Sequence, residues 1–83
     1  MERVRTLLDQ GYMLYTDRVW AVFERSRMSS LDVENVLRCG DIEQEPKLDG
    51  DTYRYFVETQ RMCVVVSFPE EKVIQVVGGW RKQ

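Results

Sequence analysis

Arginine and aromatic side chains are the residues in this sequence best suited to binding an anionic polymer. Nine of the twelve basic residues are arginine, and a planar guanidinium group can bind two phosphate oxygens at once. Exposed aromatic rings offer surfaces on which nucleic-acid bases stack. A patch of this kind would draw on Arg18, Arg25, Arg27, Arg54, Arg61 and Arg81, with Trp20, Tyr55 or Trp80 as stacking rings. Their spacing does not require convergence. Arginines mixed with Asp and Glu more often form a solvated surface, and Trp80 more often caps a small core.

Histidine and paired cysteines are missing from the sequence. Without histidine, Ser-His and Cys-His catalysis and His-ligated metal sites are excluded, so any acid–base chemistry falls to Asp, Glu, Lys, Arg or Tyr. Cys39 and Cys63 lie far apart and form no C-x-x-C pair, which favours free, buried thiols over a zinc or redox site. The sequence therefore indicates no cofactor.

Three carboxylates alternate with uncharged residues near the middle of the chain. On a strand, Asp41, Glu43 and Glu45 would point from one face. Oxygen ligands in that arrangement could bind a hard cation such as Ca²⁺ or Mg²⁺. An edge strand that uses charge to repel other edges produces the same pattern and is the commoner cause. We therefore assign no metal ligand.

Length and composition describe one ordinary globular domain over residues 1–83. Hydrophobic residues make up 43% and charged residues 31% of the chain, which is not the composition of a disordered segment. The net charge of −2 provides no overall basic footprint for nucleic acid, although it is compatible with a local arginine patch. The apolar runs are far shorter than the roughly 20 residues that span a bilayer, and Met1-Glu2-Arg3 leads into no signal-peptide core. We expect a cytoplasmic protein that does not enter membranes.

The first half of the chain has the periodicity of short helices. Gly11 is a natural helix stop, and Thr16 is a plausible N-cap. Ser29 with Asp32 is close to a capping box, and Gly40 provides another C-terminal stop. These signals predict three helices, over about residues 2–10, 17–27 and 30–38.

The second half of the chain changes to the composition of strands. Asp49-Gly50 predicts one turn, and Pro69-Glu70-Glu71 predicts the turn of a hairpin. The strands are predicted over about residues 41–45, 52–58, 61–68 and 72–77. Together with the helices, this order predicts an α+β fold with N-terminal helices packed on one face of a three- to four-stranded antiparallel sheet.

One predicted strand is apolar on both of its faces. The run Met62–Val66 is typical of a central strand that is buried on both sides, but short helices can cover only one face of the sheet. A protein partner or a second copy of the chain, bound to the open face, would explain the pattern. The alternative is that Tyr53, Tyr55 and neighbouring aromatic residues shield that face.

A series of motifs runs between Tyr15 and Arg81, over about four-fifths of the chain. It begins with Tyr15-Thr16-Asp17, continues with Arg25-Ser26-Arg27-Met28-Ser29, and then reads Asp32-Val33-Glu34-Asn35-Val36-Leu37-Arg38-Cys39-Gly40-Asp41-Ile42. This series resembles an uncharacterised family of small bacterial proteins. Members of that family have an opening Thr-Asp-His-Ala, a Ser-x-x-(Asp/Glu)-Val turn and a helix ending in Gly-x-Ile. A Tyr-Arg-Tyr strand, a valine-rich strand and a last strand closing in an aromatic residue follow.

That family is usually placed near the RelE-like and BrnT-like ribonuclease toxins of toxin–antitoxin modules, which share helices packed on an antiparallel sheet. The resemblance implies cleavage of RNA, in which basic and tyrosine residues steady the phosphate while the ribose 2′-hydroxyl attacks, and it implies an antitoxin as protein partner. Arginine and lysine can stabilise the developing charge without histidine. Arg18 stands where family members carry a histidine. Carried over by position, the catalytic candidates are Arg18, Arg54, Tyr55 and Arg81. The arginine patch adds the RNA-binding candidates Arg25, Arg27, Arg61 and Trp80.

A second hypothesis is a non-enzymatic regulator or inhibitor, encoded by a bacterium or its phage, that keeps a toxin-like fold and works by protein contact. The acidic net charge and the missing histidine favour this hypothesis. The arginine-rich composition and the tyrosine-bearing strand favour action on RNA. An enzyme for small molecules has almost no support, because the sequence has neither a glycine-rich phosphate loop nor a nucleophile motif.

Overall fold

In the computed structural model, which describes residues 2–82, the chain forms three helices and five strands. In chain order they are α1 (Glu2–Gln10), β1 (Tyr12–Tyr15), α2 (Asp17–Ser26), α3 (Ser30–Cys39), β2 (Lys47–Asp49), β3 (Thr52–Glu58), β4 (Met62–Ser67) and β5 (Val73–Arg81). The predicted α+β class is confirmed, and each helix begins and ends within one residue of its predicted bounds. Within residues 2–82, no helix is long and apolar enough to cross a membrane.

Local signals set the ends of α2 and α3. At the start of α3, the Asp32 N–H donates to Ser29 Oγ at 3.3 Å, and the Ser29 N–H donates to Asp32 Oδ2 at 2.9 Å. This is the capping box that the sequence indicated. α2 ends at Ser26 and is capped by Arg27, whose φ of 56° lies in the left-handed region. A residue in that conformation cannot continue a right-handed helix, so the chain turns there before α3 begins.

The five strands form one mixed sheet in the order β1-β5-β4-β3-β2. β1 runs parallel to β5, whereas all other neighbours pair antiparallel. β4 and β5 form the hairpin predicted around Pro69-Glu70-Glu71, with Ser67 opposite Gln75. The predicted antiparallel sheet of three to four strands is therefore incomplete, because it lacks the parallel strand β1.

β1 joins the sheet through a pairing that no local pattern reveals. It has only four residues and lies between two helices. Its partner is β5, at the other end of the chain, where Tyr12 pairs with Val73 and Tyr15 pairs with Val76. Two parallel strands need a long connection between them. The residues next to β1 in the sequence therefore do not indicate that it pairs with β5.

The first strand of the antiparallel part lies later in the chain than predicted. The strand expected at residues 41–45 is absent from the described structure, where Asp41 alone forms an isolated bridge with Glu58. The paired strand is β2, because the turn at Gly50, with φ of 64°, places Asp49 opposite Thr52. Pro46 has no N–H to donate, and it separates β2 from the acidic segment. Asp41, Glu43 and Glu45 therefore do not share the face of a strand.

β5 continues past its predicted end at residue 77. A register shift between Val65 and Val66 of β4 accommodates one additional residue of β5, so the strand runs on to Arg81. Gly79 matters here because a Cβ atom at this position would lie only 3.0 Å from Phe23 Cε1. The missing side chain lets the Phe23 ring of α2 pack directly against the strand.

The apolar core lies between the helices and one face of the sheet. The helices contribute Val4, Leu7, Val19, Phe23, Val33, Val36 and Leu37, and the strands contribute Val57, Val64, Val66, Ile74 and Val76. Alternate strand residues supply this face, as the two-residue period of a strand requires. The helices therefore cover only one side of the sheet.

We expect Leu37→Ala to lower the free energy of unfolding by about 2–5 kcal/mol, because the substitution deletes a buried side chain and leaves a cavity. Leu31→Ala is the matched control on the same helix. Leu31 is 63% exposed, so its truncation should change stability by less than about 0.5 kcal/mol. Urea unfolding followed by circular dichroism measures both variants. Equal losses would contradict this assignment of the buried face of α3.

Candidate functional site

The sheet surface opposite the helices, here called the open face, is the main candidate for a functional site. Strand register places Phe56 beside Val65, Val65 beside Gly78, and Cys63 beside Trp80. By the same alternation, the strand residues of the open face are Tyr12, Leu14, Lys47, Asp49, Thr52, Arg54, Phe56, Glu58, Cys63, Val65, Ser67, Val73, Gln75, Gly78 and Trp80. None of these fifteen residues belongs to the core cluster beneath the helices.

β4 is buried on both of its sides, as its composition indicated. On the open face, Cys63, Val65 and Ser67 are only 0%, 6% and 5% exposed, although no described helix covers them. Larger side chains on the neighbouring strands cover these short side chains and exclude solvent from them. The rings of Phe56 and Trp80 stand on either side of β4, with centroids 6.5 Å apart.

Tyr53 and Tyr55 do not provide the shielding that the sequence allowed. Tyr55 alternates with Phe56 along β3, so it points to the helix side and packs edge-to-face on Phe68 with ring centroids 5.3 Å apart. Tyr53 shares that side of β3 and is 51% exposed. The aromatic side chains of the open face near β4 are instead Phe56 and Trp80.

Cations lie next to this pair of rings. The Lys47 Nζ atom is 5.4 Å from the centroid of the Phe56 ring, within the range of a cation–π contact. Arg54, opposite Lys47 in the β2–β3 pairing, forms an ion pair with Asp49. Both side chains of that pair are about half exposed, at 47% and 58%. This end of the open face thus combines an aromatic surface with two basic groups.

Lys82 and Glu58 form a second ion pair at the far end of the open face. Lys82 Nζ lies 2.9 Å from Glu58 Oε1, and Gln44 Nε2 donates to Glu58 Oε2 at 3.0 Å. The hydrogen bond from Lys82, followed by that from Gln44, lowers the pKa of Glu58. The same contact raises the pKa of Lys82. Both groups therefore keep their charges at neutral pH.

The two thiols are free, but they differ in exposure. Cys63 is buried, and desolvation, with the nearby Glu58 carboxylate, raises its pKa to about 11. It is therefore a neutral thiol near pH 7, not a nucleophile. Cys39 is exposed, which corrects the prediction that both are buried. It lies at the last residue of α3, away from the stripe formed by Val33, Val36 and Leu37.

The structure distributes the predicted catalytic residues over different surfaces. Arg54 lies on the open face. Tyr55 and Arg81 point to the helix side of the sheet, and Arg18 is an exposed residue in the first turn of α2. The contacts of the described residues do not bring these four side chains together.

Arg81 clamps the corner between α2 and α3. Its guanidinium donates to the backbone oxygens of Ser26 at 3.1 Å and Arg27 at 2.8 Å, and it lies 3.4 Å from an oxygen of Asp32. Free carbonyls at the C-terminal end of a helix attract a cation in this way. The position of Arg81 thus has a structural explanation.

The predicted RNA-binding residues are also dispersed. Trp80 lies on the open face and is 43% exposed. Arg61 lies in the turn between β3 and β4, near the same end of the sheet as Lys82, whose N–H donates to the Arg61 backbone oxygen at 2.7 Å. Arg25 and Arg27 belong to α2 and its C-terminal cap, with Arg25 Nε 3.4 Å from the Ala21 oxygen of its own helix.

Sequence reasoning missed Phe56 and Lys47. The signal for Phe56 was present, because the two-residue period of β3 separates it from Tyr55 and places it on the opposite face. The signal for Lys47 was weaker, because the predicted turn at Asp49-Gly50 implied a strand directly before it, but β2 has only three residues. Both lie on the open face, where Lys47 Nζ contacts the Phe56 ring.

Cavities also lie at the margins of the sheet. One of about 680 Å³ is lined by α3, the segment after it and the β3–β4 turn, with Asp32, Asp41, Glu43 and Glu58 among its residues. Asp32 and Glu58 already face Arg81 and Lys82. Among residues 2–82, no group of three His, Cys, Asp or Glu side chains is placed to hold a metal ion. A smaller cavity of about 180 Å³ lies beside Arg3, Tyr55 and Phe68.

Comparison of the chain with protein-family models, with curated proteins and with solved structures gave no match. The function must therefore be argued from the geometry of the chain itself.

We expect Arg81→Gln to lower the free energy of unfolding by about 1 kcal/mol, because it removes charged hydrogen bonds to the end of α2 from a partly exposed position. Arg25→Gln is the control, since Arg25 contacts only its own helix and is exposed. That variant should differ from the wild type by less than about 0.5 kcal/mol. Chemical denaturation measures both, and an unchanged Arg81→Gln variant would refute the clamp.

Proposed function

We propose that this protein acts on RNA and that it holds single-stranded RNA across the open face of its sheet. The observation that carries the proposal is the pair of rings, Phe56 and Trp80, on a surface without helices, with Lys47 and Arg54 beside them. Stacking rings next to cations are the combination that sequence-tolerant binding of single strands requires.

The ring pair supports base stacking. Phe56 and Trp80 belong to β3 and β5, on opposite sides of β4, and their planes are tilted by 58°. The rings therefore do not stack on one another, and the faces that are exposed are available to bases. Sheets that present aromatic residues on one face are a common RNA-binding design, and each base–aromatic stack is worth about 1–3 kcal/mol.

The cations beside the rings support contacts to phosphates. Exposed ion pairs contribute only about 0–1 kcal/mol, so a phosphate can replace Asp49 as the partner of Arg54 at little cost. Lys47 lies over the Phe56 ring in the free protein, and its flexible side chain can move aside for a stacking base and contact the phosphate of that nucleotide. Arg61 and Lys82 supply basic groups at the other end of the same sheet.

We also propose that the protein cleaves the RNA that it binds, as do the toxins that the sequence resembles. Of the four catalytic candidates, Arg54 is the one on the open face. A guanidinium beside the bound strand can stabilise negative charge that develops on a phosphate. Cleavage is therefore assigned to the neighbourhood of Arg54, with the ribose 2′-hydroxyl as the attacking group.

Binding is tested with a fluorescent single-stranded oligoribonucleotide and anisotropy. We expect Phe56→Leu and Trp80→Leu each to raise the Kd by roughly 5- to 150-fold, as the loss of one stacking surface implies. Trp20→Leu is the matched control, because Trp20 is 49% exposed but lies on α2, on the other side of the sheet. Its Kd should equal that of the wild type. An equal loss in all three variants would contradict the assignment of RNA to the open face.

Cleavage is tested separately by incubating labelled RNA with the protein. We expect the wild type to release fragments with 2′,3′-cyclic phosphate ends, the product of attack by a 2′-hydroxyl. Arg54→Gln should slow this reaction by at least about tenfold, a change of about 1.4 kcal/mol in the barrier, whereas Arg25→Gln should not. If the wild type binds the RNA but releases no fragments, the proposed ribonuclease activity is refuted and the RNA-binding proposal stands.

The second candidate function is a regulator that binds a protein partner, such as an antitoxin, on the same face. The specific observation in its favour is the uncharged centre of the open face, where Val65 and Gly78 lie between the two ion pairs. Depletion of charge at the centre with polar residues around it is typical of protein interfaces.

The salt dependence of binding distinguishes the RNA-binding function from the protein-binding regulator. An RNA complex that neutralises phosphates weakens steeply as salt rises from about 50 to 200 mM, because condensed counterions are released on binding. A complex formed by apolar contact does not show that slope. A partner complex that survives at high salt, together with no measurable RNA binding at low salt, would favour the regulator.

A further inference from the structure

The outer edge of β1 is the feature that the proposed function leaves unexplained. β1 is one of the two edge strands of the sheet, and it pairs on its inner side with β5. The Tyr12 N–H donates to the Lys72 oxygen at 2.9 Å, and the Thr16 N–H donates to the Val76 oxygen at 3.3 Å. Residues alternate in direction along a strand. The N–H and C=O groups of Met13 and Tyr15 therefore point away from β5, toward the outside of the sheet.

The two edges of the sheet differ in their protection. β2, at the opposite edge, is only three residues long, carries Lys47 and Asp49, and follows Pro46. Short length, charge and proline are the usual devices that stop an edge from pairing with another chain. β1 reads Tyr-Met-Leu-Tyr; it is also short, with four residues, but it carries neither charge nor proline. An unprotected edge of this kind is a template for pairing with another strand.

Exposed apolar side chains flank the edge of β1 on both faces of the sheet. On the open face, Tyr12 is 70% exposed and Leu14 is 51% exposed. On the helix side, Trp20 is 49% exposed and stacks on Tyr15 with ring centroids 4.5 Å apart. Three of the seven large hydrophobic residues that are exposed among the described residues thus gather at this one edge.

We infer that two copies of the chain associate by antiparallel pairing of their β1 strands, around a two-fold axis at Leu14, into one continuous sheet. In this register, Met13 of each copy lies opposite Tyr15 of the other and exchanges both backbone hydrogen bonds with it. The outward-pointing groups of β1 are thereby paired. The pairing joins two five-stranded sheets.

A second copy fits this edge because the two-fold arrangement brings like residues together without a penalty. Leu14 meets Leu14 of the other copy on the open face. On the helix side, Met13 meets the Tyr15 ring, and a thioether beside an aromatic ring is favourable. β1 has no charged residue, so no like charges on the paired strands repel across the axis. The interface is therefore self-complementary, as a two-fold contact must be.

The dimer would make the open faces of the two copies continuous, with one pair of Phe56 and Trp80 rings in each half. This inference does not depend on RNA binding. The rings and β1 occupy different strands, so a variant of β1 tests association and a variant of Phe56 or Trp80 tests binding. Each result can be obtained without the other.

Analytical ultracentrifugation over a range of protein concentrations tests the inference. The wild-type chain has a mass of 9.9 kDa, and we expect a species of twice that mass. Leu14→Lys places two like charges at the axis and should raise the dimer Kd by at least about tenfold. Leu48→Lys is the matched control, because Leu48 is 63% exposed on the protected edge strand β2. That variant should remain dimeric.

Hydrogen exchange measured by NMR identifies the surface that is used. In the wild type, the amides of Met13 and Tyr15 should be protected, and in folded Leu14→Lys they should exchange quickly while the core amides stay protected. A wild type that is monomeric at every concentration would overturn the inference. A dimer in which these two amides exchange freely, or which Leu14→Lys leaves intact, would also overturn it, because association would then use another surface.

Discussion

Hydrogen bonding along both edges of β5 connects the parts of this protein that are far apart in sequence. β5 pairs with β1 on one side and with β4 on the other, so it joins the N-terminal third of the chain to the C-terminal hairpin. The face of β5 beneath the helices receives Phe23 at Gly79, where any larger residue would clash. Its last residue, Arg81, reaches the end of α2. Loss of β5 would remove the partner of β1 and the support of α2 together.

The arginine content of the chain is partly explained by the ends of its helices. Arg81 donates to carbonyls at the end of α2, and Arg5 donates from its Nε atom to the Arg38 oxygen at the end of α3 at 3.0 Å. These carbonyls have no partner within their own helices, and a cation there also complements the helix dipole. A count of arginines therefore overstates the number of groups that are available to bind a ligand.

The open face and the exposed edge of β1 have one common cause. Three short helices can cover only one side of a five-stranded sheet. On the other side, the buried strand β4 is covered only by the side chains of neighbouring strands. β1 is added at the end of the sheet beyond the β2–β5 meander, and its outer backbone groups are left to other partners. Both features follow from a chain that is too short to enclose its own sheet.

The sequence by itself determined the elements whose signals are local. The capping box of Ser29 and Asp32, the helix stop at Gly40 and the hairpin around Pro69 all depend on neighbouring residues, and the predicted helices and hairpin match the structure closely. The apolar run of β4 also indicated a strand buried on both sides. The two-residue period of β3 also separates the face of Phe56 from that of Tyr55.

Only the tertiary structure decided which strands pair and which side chains meet. β1 depends on a partner at the far end of the chain and has no signature of its own. β2 follows a turn that the sequence indicated, but its three residues are too few to show the alternating pattern of a strand. The arginines looked alike in the sequence. In the folded chain, Arg81 binds backbone carbonyls at the end of α2, whereas Arg54 pairs with Asp49 on the open face. The role of a long, flexible side chain depends on the groups that folding brings within its reach.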